Sequence, residues 1–291
     1  MKQFLFFFNL LYLTTMFGQH TSGGYKPFLS QYGLKGKVKT LKEFNGYHWA
    51  TYHFNKEGLL TQTDNRTFTY DEQNRLKTIS YNEGKSSFTY LPNNEVKEEV
   101  SGLGRETYYY VYDNKGNLLS KERKLRKDSR SSLDYKILYK YDKAGRLLEK
   151  KYDPSYLKKN KTIFAGQDYS RADMELYEYD AQGNLSRQTI YDSFGSLKYI
   201  KLYKNGKLTE SQEYDWGHIY QKIIFTYDNN QVQEKVYNQE GTPTLLITYK
   251  TTLDKQGNVI LKTKEYEDIP KSKEEEKEKR VVEKRIIEYY P

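Results

Sequence analysis

The sequence predicts an all-β protein, an antiparallel meander of about 20 short strands forming one long, twisted and curved repeat sheet. Three observations carry that expectation. A frame of aromatic-Asp-x-x-Gly-x-Leu returns along the chain, as in Tyr112-Asp113-Asn114-Lys115-Gly116-Asn117-Leu118. Residues between copies alternate as in a strand: Tyr108, Tyr110 and Tyr112 share one face, and Ile223, Phe225 and Tyr227 repeat the arrangement. Turn signals in the C-terminal half arrive about every 12 residues, one strand plus one turn.

In chain order, the first element is a leader. Lys2 precedes the largely apolar run Phe4–Leu13, and the small residue Gly18 follows. That run is shorter than the roughly 20 residues a helical membrane span needs, so residues 1–18 read as a cleavable signal peptide. Residues 19–35 read as an N-terminal linker, and 36–291 as a single hairpin array. The array opens with the variant frame Phe54-Asn55 to Leu60 and continues through Tyr70 and Tyr90, where Asn74 and Asn94 stand in for the glycine. Full copies follow at Tyr112, Tyr141, Tyr179 and Tyr191, with Leu253-Asp254 to Val259 a late variant and Tyr237 to Gly241 matching the first five positions.

The frame encodes a tight hairpin. Asp113, Asp142, Asp180, Asp192 and Asp254 open a turn and can bind their own following backbone. Gly116, Gly145, Gly183, Gly195 and Gly257 take the left-handed position that closes the loop. Two copies are one residue shorter, and there Asn205-Gly206 and Asn229-Asn230 supply the residues a two-residue type I′ turn requires. Val281, Val282, Ile286, Ile287, Tyr289 and Tyr290 form a last strand that should cap the sheet. The charged run Pro270–Arg280 before it reads as a loop.

These copies resemble the YD-repeat (Rhs-like) family over most of the chain from about Gly36 onward. The resemblance implies curved β-hairpin sheets, which in long members wrap into hollow shells. No Asp-Pro-x-Gly-type self-cleaving motif and no toxin-like C-terminal domain is present, so the delivery role of the family is not implied. A sheet of this length is expected not to enclose cargo.

Composition narrows the chemistry. The chain has no cysteine, which removes disulfides, thiol catalysis, cysteine metal sites and a lipoprotein anchor. With 31 tyrosines but only 36% hydrophobic residues, the apolar surface is carried by rings whose hydroxyls are expected to stay wet. The net charge of +9 favours anionic partners, although Lys and Glu interleave along the strands as on a solvated surface. Four histidines, none in a ligand-like spacing, predict no metal and no cofactor. Asp173 and Glu175 have the loose spacing of a glycosidase pair, which a Glu-rich strand also produces by chance.

A meander alternates its turns between two ends. The regular turns after Phe54, Tyr70, Tyr90, Tyr112, Tyr141, Tyr179, Tyr203, Tyr227 and Leu253 fall on one end. Ser101–Arg105, Leu125–Ser131, Pro154–Ser170, Asp215–His218 and Asp268–Arg280 fall on the other. Irregular connections on one edge of a repeat array can mark its recognition edge. Trp216, His218, Tyr156, Phe164 and Tyr169 would supply flat surfaces there, and Lys121, Arg123, Lys124, Arg126, Lys127, Arg130, Lys158, Lys159 and Lys161 positive charge.

The expectation is an exported, periplasmic or secreted, non-enzymatic binding or scaffold protein. It would recognise an envelope glycan or polymer, or a protein partner, through the long-loop edge, with no nucleic acid and no membrane span. The alternatives are a carbohydrate-active enzyme and a structural subunit of an envelope assembly that pairs through its first or last strand.

Overall fold

The computed structural model describes residues 29–44, 47–102, 106–125, 134–153, 155, 173–229, 231–268 and 278–291. Among these residues are 20 strands, from β1 (Val38–Phe44) and β2 (Trp49–Phe54) through to β20 (Glu278–Tyr289), preceded by a 3-10 turn at Leu29–Tyr32. The all-β meander expected from the repeat is present. Each strand pairs antiparallel with the next in sequence.

The frame accounts for the turns. In the copy at Asp113, Oδ1 accepts from the N–H of Lys115 and Asn117, both at 2.8 Å, while the Gly116 N–H donates to the Asp113 carbonyl at 3.0 Å. The aspartate Oδ1 bonds recur at Asp71, Asp180, Asp192 and Asp254, and Asp142 accepts from Arg146. Gly116 has φ 86°, and where glycine is missing Asn74 and Asn94 take φ 57° and 60°. Asn205 and Gly206 both have positive φ, as the two-residue turn demands.

The frame tyrosine also has a second task. Tyr70, Tyr90, Tyr179 and Tyr227 donate their hydroxyls to the carbonyls of Leu60, Leu76, Leu147 and Leu208, each the leucine that closes the preceding hairpin's frame (2.6–2.9 Å). A ring covering one hairpin and a hydroxyl stitched to it give tyrosine a reason to fill these four positions that phenylalanine would lack. These four hydroxyls are bound to the backbone of the neighbouring hairpin.

The sheet does not remain open. Strand β1 pairs with β2 on one side and with β20 on the other, in the register Lys42↔Ile286 and Phe44↔Lys284. With β20 also on β19 (Val259–Asp268), all 20 strands form one closed ring. The expected end cap is thus half of a seam. The best-packed aliphatic cluster lies there: Leu34, Val38, Leu41, Phe54 and Leu60 are buried, with Leu29, Tyr32, Ile287 and Tyr289 against them. Burying a leucine contributes about 1.5–3 kcal/mol, so the seam is held by side chains as well as by its ladder. Arg285 binds Glu43 across it at 2.8 Å and donates to the Tyr32 carbonyl at 3.2 Å. Tyr290 donates to the Phe54 carbonyl at 2.6 Å, continuing the tyrosine stitch around the junction.

Candidate functional site

Closure gives the wall two unequal faces, and the register assigns each residue to one of them. Six neighbouring strands show which face is concave: β14 (Leu197–Lys204), β15 (Lys207–Asp215), β16 (His218–Asp228), β17 (Gln231–Tyr237), β18 (Pro243–Leu253) and β19. A hollow of about 440 Å³ is lined by Tyr199, Lys201, Ser211, Ile223, Phe225, Glu234, Tyr249 and Lys262, all on one face of these strands. The register carries this face across the ladder as Lys201↔Ser211, Ser211↔Ile223, Phe225↔Glu234 and Glu234↔Ile247. Six strands share one hollow only where the sheet curves toward it, so the tyrosine-bearing face is the inside of the ring. All substantial strand contacts among the described residues are with ladder neighbours. If circular, a ring of this strand number at about 4.8 Å spacing and about 40° tilt would have a backbone diameter of roughly 40 Å.

The inner face mixes rings with charge. Glu175 accepts from Lys150 at 2.6 Å, from the Tyr177 hydroxyl at 2.5 Å and from Gln188 at 3.0 Å. Burial works against its ionised form, but these donors outweigh it and hold the carboxyl below its usual range. Lys121 is buried over the rings of Tyr108 and Tyr110, at 4.9 and 5.5 Å, and its desolvation lowers its pKa. Lys201 and Lys262 are lowered by burial in the same way, and Glu234 is raised by it. The outer face carries threonine, serine, lysine and glutamate, with ion pairs Lys97–Glu99 at 2.8 Å, Lys151–Glu149 at 2.6 Å and Lys250–Glu265 at 3.2 Å.

Only some of the residues expected at a recognition edge fall among the described residues. Tyr156, Phe164, Tyr169, Arg126, Lys127, Arg130, Lys158, Lys159 and Lys161 lie outside the described residues. Trp216 and His218 are exposed, but Asp215–His218 is not an irregular connection. Trp216 and Gly217 have φ 48° and 83° and make a two-residue hairpin turn. Lys121 and Arg123 belong to the inner wall: Arg123 sits over the Tyr135 ring and near Glu106. Asp173 takes φ 47° at the entry to its strand, and Glu175 is engaged as described, so the two carboxyls have different environments. Sequence reading missed Lys201, Lys262 and Glu234. In a strand, one residue of offset separates an inward lysine from an outward one, and only the register reveals which is which.

Comparison with known proteins gives little to set beside this. No family model matches the chain, and no curated protein matches it. Among solved structures it is similar to a porin-like protein from Bacteroides uniformis, at 13% identity and a TM-score of 0.39, over 86% of this chain and 95% of that one.

Ring closure overturns three expectations. A binding or scaffold module reading its target on the long-loop edge of an open array does not stand, because the chain closes into a barrel with a rim around a bore. An assembly subunit pairing through its first or last strand does not stand either, since β1 and β20 are already paired on both sides. The exclusion of a membrane span also falls, because it weighed helices alone. A closed antiparallel ring satisfies its backbone internally and is the other architecture a bilayer admits.

Proposed function

We propose that this chain works as a hollow β-barrel of the cell envelope whose bore takes up small solutes. Ring closure through the β1–β20 ladder is the observation that carries the reading, because it turns a repeat sheet into a wall with an inside. The inner face is chemically suited to the task, offering tyrosine rings for flat or apolar parts of a solute and lysines and glutamates for polar ones. The charged start and short apolar run of residues 1–18 support export from the cytoplasm. The role is non-enzymatic: Glu175, the carboxylate of the loosely spaced pair, is committed to Lys150, Tyr177 and Gln188. Kinship with YD-repeat proteins is part of the same reading, supported by the aspartate turn recurring with near-identical bonds at Asp71, Asp113, Asp180, Asp192 and Asp254.

Thiol labelling tests the hollow barrel, since the chain has no cysteine to interfere. Ser211→Cys lies on the inner face, and Thr226→Cys is exposed on the outer one. A small methanethiosulfonate should modify both positions. A maleimide carrying a polyethylene glycol wider than the roughly 40 Å estimated for the ring should modify only Thr226→Cys. Equal modification of both by the wide reagent would show that the inner face is not enclosed.

A further inference from the structure

The hollow over β14–β19 holds two cations with no carboxylate committed to them. Among the described residues, neither Lys201 nor Lys262 takes part in an ion pair. The charge that reaches Lys201 is that of Glu175, which is already bound by Lys150, Tyr177 and Gln188. Lys262 feels Glu283 and Glu234, but Glu283 is paired with Arg285 at 2.7 Å. The Lys262 ammonium lies 4.8 Å from the centre of the Tyr249 ring. Among the described residues Glu234 is the one carboxyl lining the hollow, 3.5 Å from the Tyr249 hydroxyl, so the two lysines leave this lining with one net positive charge. Around them stand Tyr199, Ile223, Phe225 and Tyr249, and the volume of about 440 Å³ falls within the range that small organic ligands occupy.

Two half-buried ammonium groups that share one lining carboxylate are costly, and a matching anion would relieve that cost. The rings beside them have no use for a small inorganic ion but suit a flat apolar body. We infer that this hollow is a binding site for an organic anion with a flat apolar body, its charge held by Lys201 and Lys262 and its body by Tyr199, Phe225 and Tyr249. The site deepens the proposed uptake into the bore and rests on the tyrosine face being the inner one.

The test uses two probes with the same ring system. The full chain is titrated with 8-anilinonaphthalene-1-sulfonate and with N-phenyl-1-naphthylamine, which lacks the sulfonate, and binding is followed by probe fluorescence. In Lys201→Met/Lys262→Met, affinity for the sulfonate should fall by about tenfold or more, the scale of a lost charge-assisted contact. Affinity for the neutral amine should hold within about twofold. The outward pair Lys222→Met/Lys250→Met should leave both unchanged. Unaltered sulfonate binding in the inner variant, or an equal loss in the outer one, would overturn the site. Should the inner variant lose its β signal in far-UV circular dichroism, displacement from the unmodified chain decides instead. Naphthalene-1-sulfonate should then displace the bound probe while naphthalene-1-sulfonamide does not, and equal displacement would overturn the site. A β1–β20 cross-link that forms while lysine-dependent binding fails would refute this site and leave the closed ring standing.

Discussion

Asn258 offers the most exposed test of how the ring is held shut. Its side chain is fully buried and binds two residues at the seam: Oδ1 accepts from the Lys35 N–H at 2.6 Å, and Nδ2 donates to the Tyr289 hydroxyl at 2.7 Å and to the Lys35 carbonyl at 3.1 Å. Tyr289 in turn donates to Asp254, the aspartate of the same turn. Asn184 holds the same frame position in another turn, yet among the described residues its side chain reaches only Asp180, and it is exposed. In Asn258→Ala, the Lys35 groups and the Tyr289 hydroxyl lose their partner in a partly buried setting, at about 1–3 kcal/mol for each group that water does not reach. We expect a loss of roughly 3 kcal/mol for Asn258→Ala and less than about 1 kcal/mol for Asn184→Ala. At about 2–4 °C per kcal/mol for a chain of this size, the first corresponds to a fall of roughly 6–12 °C in Tm. Urea unfolding followed by circular dichroism and a calorimetric Tm would measure both. If the two alanine variants cost the same within about 0.5 kcal/mol, Asn258 is an ordinary turn residue and the seam is not fastened through it.

Two further outcomes follow from the turns. Trp216 holds a left-handed backbone conformation that Asn205 occupies comfortably one hairpin earlier. Trp216→Asn should therefore raise stability by about 1 kcal/mol, and an unchanged or lower urea midpoint would count against strain at that turn. The turn aspartates predict acid sensitivity: the Arg146 N–H chiefly holds the Asp142 carboxyl below 3.8, and the Asn117 side chain does so for Asp113. Folded pKa values below the unfolded ones mean that these groups stabilise the fold above pH 3.8, and that this is lost as pH falls through the lower folded values. Asp142→Asn/Asp113→Asn should flatten the fall in urea midpoint below pH 3.8, whereas an unchanged slope would place the acid sensitivity elsewhere.

The strand number, the meander and the turns were legible because their causes are local. Asp113, Gly116 and their counterparts declare a hairpin within seven residues, and Asn205-Gly206 declares a shorter one in two. Closure was not legible, because it depends on Glu43 meeting Arg285 across a sequence separation of 242 and nothing in either strand announces the other. The recognition edge was misjudged at Asp215–His218 because a tryptophan with positive φ is an improbable turn residue, and its neighbour Gly217 was the better signal. Lys201 and Lys262 resemble every other strand lysine until the register puts them on the concave face, and the carbonyl partners of Tyr70 and Tyr227 are likewise set by the neighbouring hairpin.

The closed ring is tested most directly by a disulfide across the β1–β20 seam. Lys42 and Ile286 face each other there, Ile286 is exposed, and the chain has no native cysteine. Under mild oxidation, Lys42→Cys/Ile286→Cys should form an intrachain bond in the monomer, linking N- and C-terminal proteolytic fragments until reduced. Lys42→Cys/Thr248→Cys, whose second residue lies on β18 and not on the neighbouring strand, should not form one. Free thiols, bonds only between chains, or equal cross-linking in both variants would contradict closure.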